Sequence, residues 1–514
     1  MINITLLSDM RLKCILLFSC LILLLNCNIH RTETMPGEAL AKTYCGSCHL
    51  FPDPLLLNKT AWKNNILPPM GKMLGIGYLY DMPYVAKKNP SLSVEDWNKI
   101  AQYYITVAPD SMPPQNRPPI QKITSLFFIK AVGTPIGKFP ASSYVKIDPG
   151  NHLIYQGNAF DSTINIYDAT LKEVSNYNIH GVLIDMNFHN SLEQPGERSG
   201  ILTNIGIMNP NELKTGTADS FMIKKDGTFA YLAKLLDSMP RPVQTISCDL
   251  DRDGQQDYLV CGFGNLTGAL YWVTKEKTEI SGKKILRALP GAIKAYIDDF
   301  NHDGLPDIMV LMAQAQEGIF LLLNKGNGSF ETKEILRFPP IYGSSYFELD
   351  DFNGDGFKDI LYTCGDNADL TGNILKNYHG IYIFLNDGKN NFTEKYFFPL
   401  HGCYKAMAKD FDKDGDLDIA AISYFPDAAH QPQESFVYLE QTSPFQFKPA
   451  TIKEFDEGKW LTMDAGDVDG DGDDDIILGS LVPPIRAQQE HWLNSSTHKA
   501  SLLLLENTTV NNRR

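Results

Sequence analysis

Two cysteines and a histidine lie close together near the N-terminus, in the segment CGSCH from Cys45 to His49. Two thiols three residues apart on a helical turn can form thioethers to both vinyl groups of one haem, and the following histidine can bind the iron. A thioredoxin-like dithiol would need a preceding βαβ pattern, and a zinc site would need two further ligands nearby. The motif therefore predicts one covalently bound haem c, held by Cys45, Cys48 and His49.

The sixth iron ligand is expected to be a methionine, because the segment around the motif contains no other histidine. A thioether ligand raises the reduction potential of a haem relative to bis-histidine ligation, which suits an electron carrier. We favour Met70, in LPPMGKMLG, with Met82 and Met73 as alternatives. For each of these side chains the competing interpretation is that it only fills the core.

Five loops in the second half of the chain share the pattern D-x-[DN]-x-D-G-x-x-D and recur at intervals of 50 to 59 residues. Oxygen ligands at positions one, three, five and nine, with glycine at position six for the sharp turn, suit Ca²⁺. An EF-hand would carry glutamate at position twelve between two helices, whereas strands are expected on both sides here. The predicted ligands are Asp249, Asp251, Asp253, Asp257, Asp299, Asn301, Asp303, Asp307, Asp351, Asn353, Asp355, Asp359, Asp410, Asp412, Asp414, Asp418, Asp467, Asp469, Asp471 and Asp475.

The charge of the chain agrees with metal ligation. The net charge is -15, and much of the acidity is concentrated in these five loops. Five bound Ca²⁺ ions would offset ten of those charges, whereas aspartate-rich turns without metal remain the competing interpretation. The same acidity argues against nucleic acid as a partner, because no basic stripe is available to neutralise phosphates.

The elements that position these loops are predicted to be strands. Each final aspartate begins an apolar run, such as DYLVCG or DIILGS, and a second apolar strand and a more polar one follow. Each repeat therefore provides about four strands, the size of one propeller blade. Two weaker repeats, beginning near Ser143 and Gly181, raise the total to seven blades. The last blade lacks a fourth strand, and the run from Ile123 to Ile129 is predicted to supply it and close the ring.

Residues 35–108 have the sequence pattern of helices, unlike the β-type repeats that follow. A helical entry precedes the CGSCH motif, and SVEDWNKIAQYYI has the period of an amphipathic helix with Ser93 as its N-cap. This region resembles class I cytochromes c, in which a C-terminal helix packs against the first helix. The resemblance implies a small all-α domain. Residues 109–120 form a Pro-rich, semi-rigid linker to the β-region at 121–510.

The aspartate loops resemble the FG-GAP or VCBS repeats of integrin-type β-propellers. The resemblance is strong in five blades and weak in the first two. It implies an all-β propeller in which Ca²⁺ ions mainly pin the turn between the first and second strands of a blade.

The N-terminus has the layout of an export signal. Arg11 and Lys13 precede an apolar run that is too short for a comfortable membrane span and ends at Leu24-Leu25-Asn26-Cys27. This ending resembles a bacterial lipoprotein cleavage site with Cys27 as the lipidated residue. Residues 1–27 are thus predicted to be a signal peptide, and the mature chain to be lipid-anchored in the periplasm or outer membrane. A secretory signal that is cleaved slightly later is the alternative.

A ligand or partner is expected on the propeller face opposite the aspartate loops, because loops on a rigid scaffold commonly carry binding sites. The favoured function is haem electron transfer, with a redox partner protein or a small molecule bound by the propeller. The alternatives are a quinohaemoprotein-like dehydrogenase and a carbohydrate-binding or adhesion module. No catalytic triad or glycosidase carboxylate pair stands out. Candidate ligand-facing residues are His180, Arg241, Tyr342, His401, Lys405, Lys459 and Trp460, with the loops 425–433 and 483–498.

Overall fold

The computed structural model describes residues 35–77, 85–86, 89–135, 138–189, 197–276, 279–370, 372, 374–483 and 499–510. The predicted signal peptide with Cys27, the candidate ligand Met82 and most of the loop 483–498 lie outside the described residues. Within the described ranges, no helix is long and apolar enough to cross a membrane.

The described residues before the Pro-rich segment form a small helical domain. Side-chain hydrogen bonds cap the N-termini of two of its helices. Asn58 Oδ1 accepts the Ala61 N–H at 2.8 Å, and Ser93 Oγ accepts the Asp96 N–H at 3.0 Å. The elements are α1 (Pro36–Tyr44), a 3₁₀ turn (Pro54–Leu56), α2 (Lys59–Ala61), a π-helical turn (Trp62–Ile66), α3 (Leu67–Met73), the strand pair β1 (Ile76–Gly77) and β2 (Val85–Ala86), and α4 (Val94–Val107).

Helices α1 and α4 cross at very short range. A Cβ atom at Gly37 would lie 2.0 Å from the Lys99 carbonyl oxygen, so only glycine permits this approach. Beneath the crossing, Trp62, Trp97 and Tyr104 are almost completely buried, and the rings of Trp62 and Tyr104 lie 4.3 Å apart. Burial of such large aromatic surfaces supplies much of the hydrophobic stabilisation of so small a domain.

The rest of the chain forms a seven-bladed β-propeller, as predicted. Each blade is an antiparallel sheet whose strands follow in chain order, except that the seventh takes its last strand from the N-terminal side. Blades one to three contain β5 (Ser142–Asp148), β6 (Leu153–Asn158), β7 (Thr163–Asp168) and β8 (Glu173–Asn178); β9 (Leu183–Phe188), β10 (Glu197–Asn204), β11 (Gly216–Lys224) and β12 (Phe229–Met239); and β13 (Pro242–Cys248), β14 (Asp257–Gly262), β15 (Ala269–Glu276) and β16 (Glu279–Arg287).

Blades four to seven repeat this arrangement, and a 3₁₀ turn (Pro432–Ser435) precedes the third strand of the sixth. They contain β17 (Ala292–Asp298), β18 (Asp307–Met312), β19 (Gly318–Asn324) and β20 (Phe330–Arg337); β21 (Ser344–Asp350), β22 (Asp359–Cys364), β23 (Gly380–Asn386) and β24 (Phe392–Pro399); β25 (Cys403–Lys409), β26 (Asp418–Ser423), β27 (Phe436–Ser443) and β28 (Gln446–Thr451); and β29 (Trp460–Gly466), β30 (Asp475–Ser480), β31 (Ala500–Asn507) and β4 (Phe127–Gly133).

The N-terminal side of the β-region supplies the closing strand, as predicted, but this strand starts four residues later than predicted. Strand β4 pairs with β31, so the closing strand begins at Phe127 and not at Ile123. The preceding residues form β3 (Lys122–Ile123), which adds in parallel to the edge of blade six. The Phe127 ring packs edge-on against Phe411 and Tyr438, which anchors the register of the closing strand.

The propeller core lies between neighbouring blades. The second strand of each of the five loop-bearing blades is buried at every position, because adjacent blades cover both of its faces. Each of these strands begins at the last aspartate of its loop, as predicted. The four propeller cysteines are free thiols: Cys248, Cys261, Cys364 and Cys403.

The Pro-rich segment is held against the propeller and does not act as a free spacer. The Arg117 guanidinium lies 2.7 Å from Asp427 Oδ2 and 2.5 Å from Glu434 Oε1, and all three side chains are largely buried. Propeller residue Ile341 joins the hydrophobic core of the helical domain, and Ile374 packs against it. The helical domain therefore rests directly on the propeller, over the fifth blade.

Candidate functional site

The CGSCH motif lies on the turn that ends helix α1. Cys45 caps the helix, where its N–H donates to the Ala41 carbonyl at 2.8 Å. His49 is half-buried, and its Nδ1 donates to the Leu50 carbonyl oxygen at 2.9 Å. A ring held in this tautomer keeps the lone pair of Nε2 free for a metal. Burial lowers the pKa of His49 below its usual range, which favours the neutral, ligating form.

The motif opens onto a cavity of about 900 Å³ between the helical domain and the propeller. The helical side of its lining includes Cys45, Cys48, His49, Trp97 and Tyr104. A cavity of this size falls in the range used for cofactors and organic ligands. The two thiols, the free imidazole nitrogen and the apolar walls thus fit a covalently attached haem.

The structure places two of the three candidate methionines at this cavity. Met70 lies in α3, is half-buried and packs against the helical core. Met73 lies one helical turn later, also lines the cavity, and is 68% exposed. The sequence singled out both residues by type and spacing, but only the fold brings them to the same cavity as His49.

The propeller side of the lining combines apolar and polar side chains, and each blade contributes to it. The first strands of the seven blades contact one another in a closed ring around the propeller axis. Each of them contributes to the cavity wall the residue that follows its β-bulge, and we call this set of seven the axial ring. It consists of Tyr144, Asp185, Gln244, Lys294, Tyr346, Lys405 and Thr462.

A β-bulge precedes every member of the axial ring. The register between the first and second strands shifts just before Tyr144, Gln244 and Lys294, for example, and blade two shows the same shift at Asp185. The remaining three blades repeat it. A bulge turns the next side chain to a new direction, and bulges of this kind are frequent beside functional sites.

The structure places the other predicted face residues in different surroundings. Arg241 and Lys405 line the cavity, whereas Trp460 is fully buried in the hydrophobic core of the last two blades. Tyr342 stacks on Tyr378 at 4.3 Å, and the His180 ring lies 6.4 Å from that of Tyr231. The sequence alone does not distinguish these residues, because a tryptophan at a strand start can face either the rim or the core.

The aspartate loops connect the first and second strands of blades three to seven, at the opposite end of the propeller from the cavity. In the described part of the chain, three loops gather carboxylate oxygens within 4.8 Å of one another. The loops of blades four and five, which carry asparagine at position three, do not form such a cluster among the described acidic groups. The clustered residues are Asp249, Asp251 and Asp253; Asp410, Asp412 and Asp414; and Asp467, Asp469 and Asp475.

The ninth-position aspartates have a structural contact that the sequence did not reveal. Asp307 accepts the Asn324 N–H at 2.7 Å, and Asp475 accepts the Asn507 N–H at 2.8 Å. Asp257, Asp359 and Asp418 make the same bond to the third strands of their blades. The asparagine that ends several third strands is the signal for this contact, because its side chain bonds backbone carbonyls of the loop region.

Burial affects the charge of these ninth-position groups. Burial raises the pKa of Asp418 and of Asp475 to about 7. Neighbouring loop carboxylates add to the effect by like-charge repulsion. A bound cation would favour the ionised form of the same groups.

Comparison with known proteins supports the repeat assignment. A family described as FG-GAP-like repeat matches residues 249–310, 299–362 and 410–478, which include all five aspartate loops. No curated protein matches the chain.

Similar solved structures include the Pan2 WD40 domain of Neurospora crassa, at 13% identity and a TM-score of 0.42, covering 70% of this chain and 94% of that one. Virginiamycin B lyase from Staphylococcus aureus is 10% identical, with a TM-score of 0.42, and the match covers 74% and 98% of the two chains. Sqt1 from Saccharomyces cerevisiae is 11% identical, with a TM-score of 0.42 and coverage of 75% and 99%. The strand order shows a seven-bladed β-propeller, and the segments 249–362 and 410–478, which carry its five aspartate loops, are similar to FG-GAP-like repeats.

Proposed function

We propose that this protein is a haem c electron carrier whose calcium-stabilised propeller binds a partner or a ligand. The observation that carries the proposal is the position of the CGSCH motif on a cavity of about 900 Å³, with the His49 ring oriented by Leu50. A haem c, when bound, supplies a carrier for single electrons. The close crossing of α1 and α4 at Gly37 supports the resemblance to class I cytochromes c.

The chain's own residues have distinct roles in this proposal. The Cys45 and Cys48 thiols would form the two thioethers, and His49 would offer Nε2 to the iron. Met70 would offer its thioether from the same cavity. The buried aromatic residues Trp97 and Tyr104 would exclude water from that space, and a water-poor surrounding of this kind affects the reduction potential.

Calcium is proposed for the aspartate loops on the chemistry of their donors. Each of the three clustered loops places carboxylates within 4.8 Å of one another, where like charges oppose folding unless a cation bridges them. The ninth-position aspartate already ties the loop to the third strand, so an ion bound there would stabilise both connections. The role assigned to Ca²⁺ is therefore structural.

The proposed location is outside the cytoplasm, with a lipid anchor at Cys27. The argument for it rests on the apolar N-terminal run of the sequence. Attachment of haem c and an exported location are consistent with each other. Release of the protein from membranes by a Cys27→Ser substitution, measured by fractionation, would support the anchor, and unchanged membrane association would contradict it.

Covalent haem attachment tests the proposal most simply. The full chain would be produced in a bacterium with haem c maturation machinery, denatured, and examined by pyridine haemochrome spectroscopy and intact mass. We expect one haem per chain, and no covalent haem after Cys45→Ser and Cys48→Ser together. Ser47→Ala, on the same turn, is the matched control and should retain the haem. A chain that never carries covalent haem would overturn the assignment.

A further inference from the structure

The axial ring has a charge arrangement that its own residues do not satisfy. Lys294 and Lys405 both face the ring of Tyr346, with their Nζ atoms 5.7 Å and 4.7 Å from its centroid. Among the described residues, no carboxylate oxygen lies within 4 Å of either ammonium group. Lys405 Nζ donates only to the Met463 carbonyl, at 2.7 Å. Both lysines are half-buried, and a half-buried ammonium group that no carboxylate contacts can bind an anionic ligand.

An acceptor without a donor lies in the same ring. Asp185 Oδ2 is buried and has no hydrogen-bond partner in the part of the chain that the structure describes. Burial raises the pKa of Asp185 to about 6, and burial lowers the pKa of Lys405 to about 8, so both groups carry charge at neutral pH. Buried polar groups in native proteins are nearly always paired, which points to a missing partner at this position.

The next layer along the same strands shows the contrast. Lys146 Nζ lies 2.9 Å from Asp464 Oδ2, which also accepts the Ile147 N–H, and Glu348 accepts the Ala408 N–H. In this layer the Lys146 ammonium group therefore has a carboxylate partner, and the Glu348 carboxylate has a backbone donor. In the axial ring, by contrast, Asp185 Oδ2 has no described partner, and the cavity reaches it.

Arg241 is a further cation at the cavity wall. Its side chain is more than nine-tenths buried, and it donates to the carbonyls of Met208 and Gly264 at 3.0 Å and 3.2 Å. No described carboxylate lies within 4 Å of it. Its backbone has a φ of 45°, in the left-handed region that is unfavourable for arginine and typical of functional positions.

We propose that the axial ring binds a small hydroxy acid, a molecule with one carboxylate and several hydroxyl groups. The carboxylate would pair with Lys294 and Lys405. A hydroxyl would donate to Asp185, and the Gln244 and Thr462 side chains offer further hydrogen bonds. This inference names the ligand class for the binding role given to the propeller above, and rests on that role. A haem propionate would meet the lysines but would leave Asp185 unpaired, because a carboxylate has no proton to donate.

Calorimetric titration of the haem-loaded full chain tests the inference. The probes are gluconate, glucuronate, galacturonate and lactate, with glucose as the neutral counterpart. We expect at least one acid to bind and glucose to bind at least tenfold more weakly. Lys405→Met, Lys294→Met and Asp185→Asn should each lower the affinity for the acid by at least tenfold. Lys409→Met, on the same strand as Lys405 but remote from the cavity, should not change the affinity.

Several results would overturn the inference. The inference is wrong if none of the four acids binds, or if the variants bind the acid with the same affinity as the wild type. It is also wrong if the lysine substitutions shift the haem reduction potential while no acid binds. The last result would assign the lysines to the haem propionates. Haem content measured on the same samples separates this inference from the proposed function. A haem-loaded chain without acid binding contradicts the ligand site alone, and an acid-binding chain without haem contradicts the electron-transfer role alone.

Discussion

At the scale of single residues, the distal iron ligand is the assignment that most needs a direct comparison. Met70 packs against the helical core and lines the cavity, whereas Met73 is mostly exposed at its edge. We expect Met70→Ala to abolish the charge-transfer absorption of the iron–thioether bond and to lower the reduction potential. Met73→Ala and Met82→Ala should leave the band intact, and loss of the band in either of them would transfer the role.

A buried carboxyl at the interface of the domains predicts a pH effect on stability. Glu317 is fully buried, accepts the Ser344 N–H at 2.6 Å and has an Oε2 without a described partner. Burial raises its pKa to about 7. Because the folded pKa lies above the unfolded one, the proton on Glu317 stabilises the fold at low pH, and this stability is lost as the pH rises through 7.

Replacement of Glu317 by glutamine should therefore have little effect below the unfolded pKa of about 4.5 and its full effect above the folded pKa of about 7. At pH 8 we expect Glu317→Gln to raise the free energy of unfolding by about 1–3 kcal/mol, since it removes a buried charge. At pH 4 the variant and the wild type should agree. Denaturant unfolding at the two pH values measures the free energy of unfolding of the variant and of the wild type. A variant that is less stable than the wild type at pH 8 would contradict the pKa assignment.

At the scale of elements, the Arg117 contact holds the predicted linker to blade six. Arg117→Met would leave Asp427 and Glu434 buried without their cation, and such a loss costs about 3–5 kcal/mol. We expect a clearly lower melting temperature and faster proteolysis within the Pro-rich segment. Lys122→Met is the matched control, because its partner Glu440 is at the surface, where ion pairs contribute at most about 1 kcal/mol. Equal melting temperatures for the two variants would show that the contact does not hold the linker.

The sequence predicted those elements that repeat. The aspartate loops, the buried strand that follows each loop, and the closing strand all follow from local patterns with a fixed period. The starting residue of β4 did not, because Ile123 and Phe127 are both apolar and only packing against Phe411 distinguishes them. The second contact of the ninth-position aspartates joins strands that are 17 to 32 residues apart, for example Asp307 with Asn324.

The candidate site was predictable only in part for the same reason. The CGSCH motif and the methionines are visible as residue types at a given spacing. The axial ring is not, because its members come from seven strands between Tyr144 and Thr462, and only closure of the propeller brings them together. The β-bulges that orient these side chains are also not visible in the sequence, because no residue type at the bulge is common to all seven strands.

At the scale of the whole molecule, calcium should control the stability of the propeller. An ion that binds only the folded state adds about 2.7 kcal/mol at a hundredfold excess over its Kd, and a domain is stable by only about 5–15 kcal/mol. Chelation should therefore lower the melting temperature of the β-structure sharply, as followed by far-UV circular dichroism. Asp410→Asn with Asp467→Asn should imitate chelation. An unchanged melt in chelator would contradict the calcium assignment.

The helical domain and the propeller share an interface, so unfolding of one should affect the other. Ile341 of the propeller is part of the helical core, and the cavity has walls from both domains. Haem absorbance should keep its ligation pattern in chelator at low temperature, because the proposed iron ligands His49 and Met70 both lie in the helical domain. It should change at the temperature at which the propeller melts.

Optical redox titration of the full, haem-loaded chain tests the central claim most directly. The account predicts a reversible one-electron curve, a low-spin spectrum with one histidine and one methionine ligand, and haem that stays attached after denaturation. A preparation from a haem c maturation host that carries no covalent haem, or whose bound haem cannot be reduced and reoxidised, would contradict it.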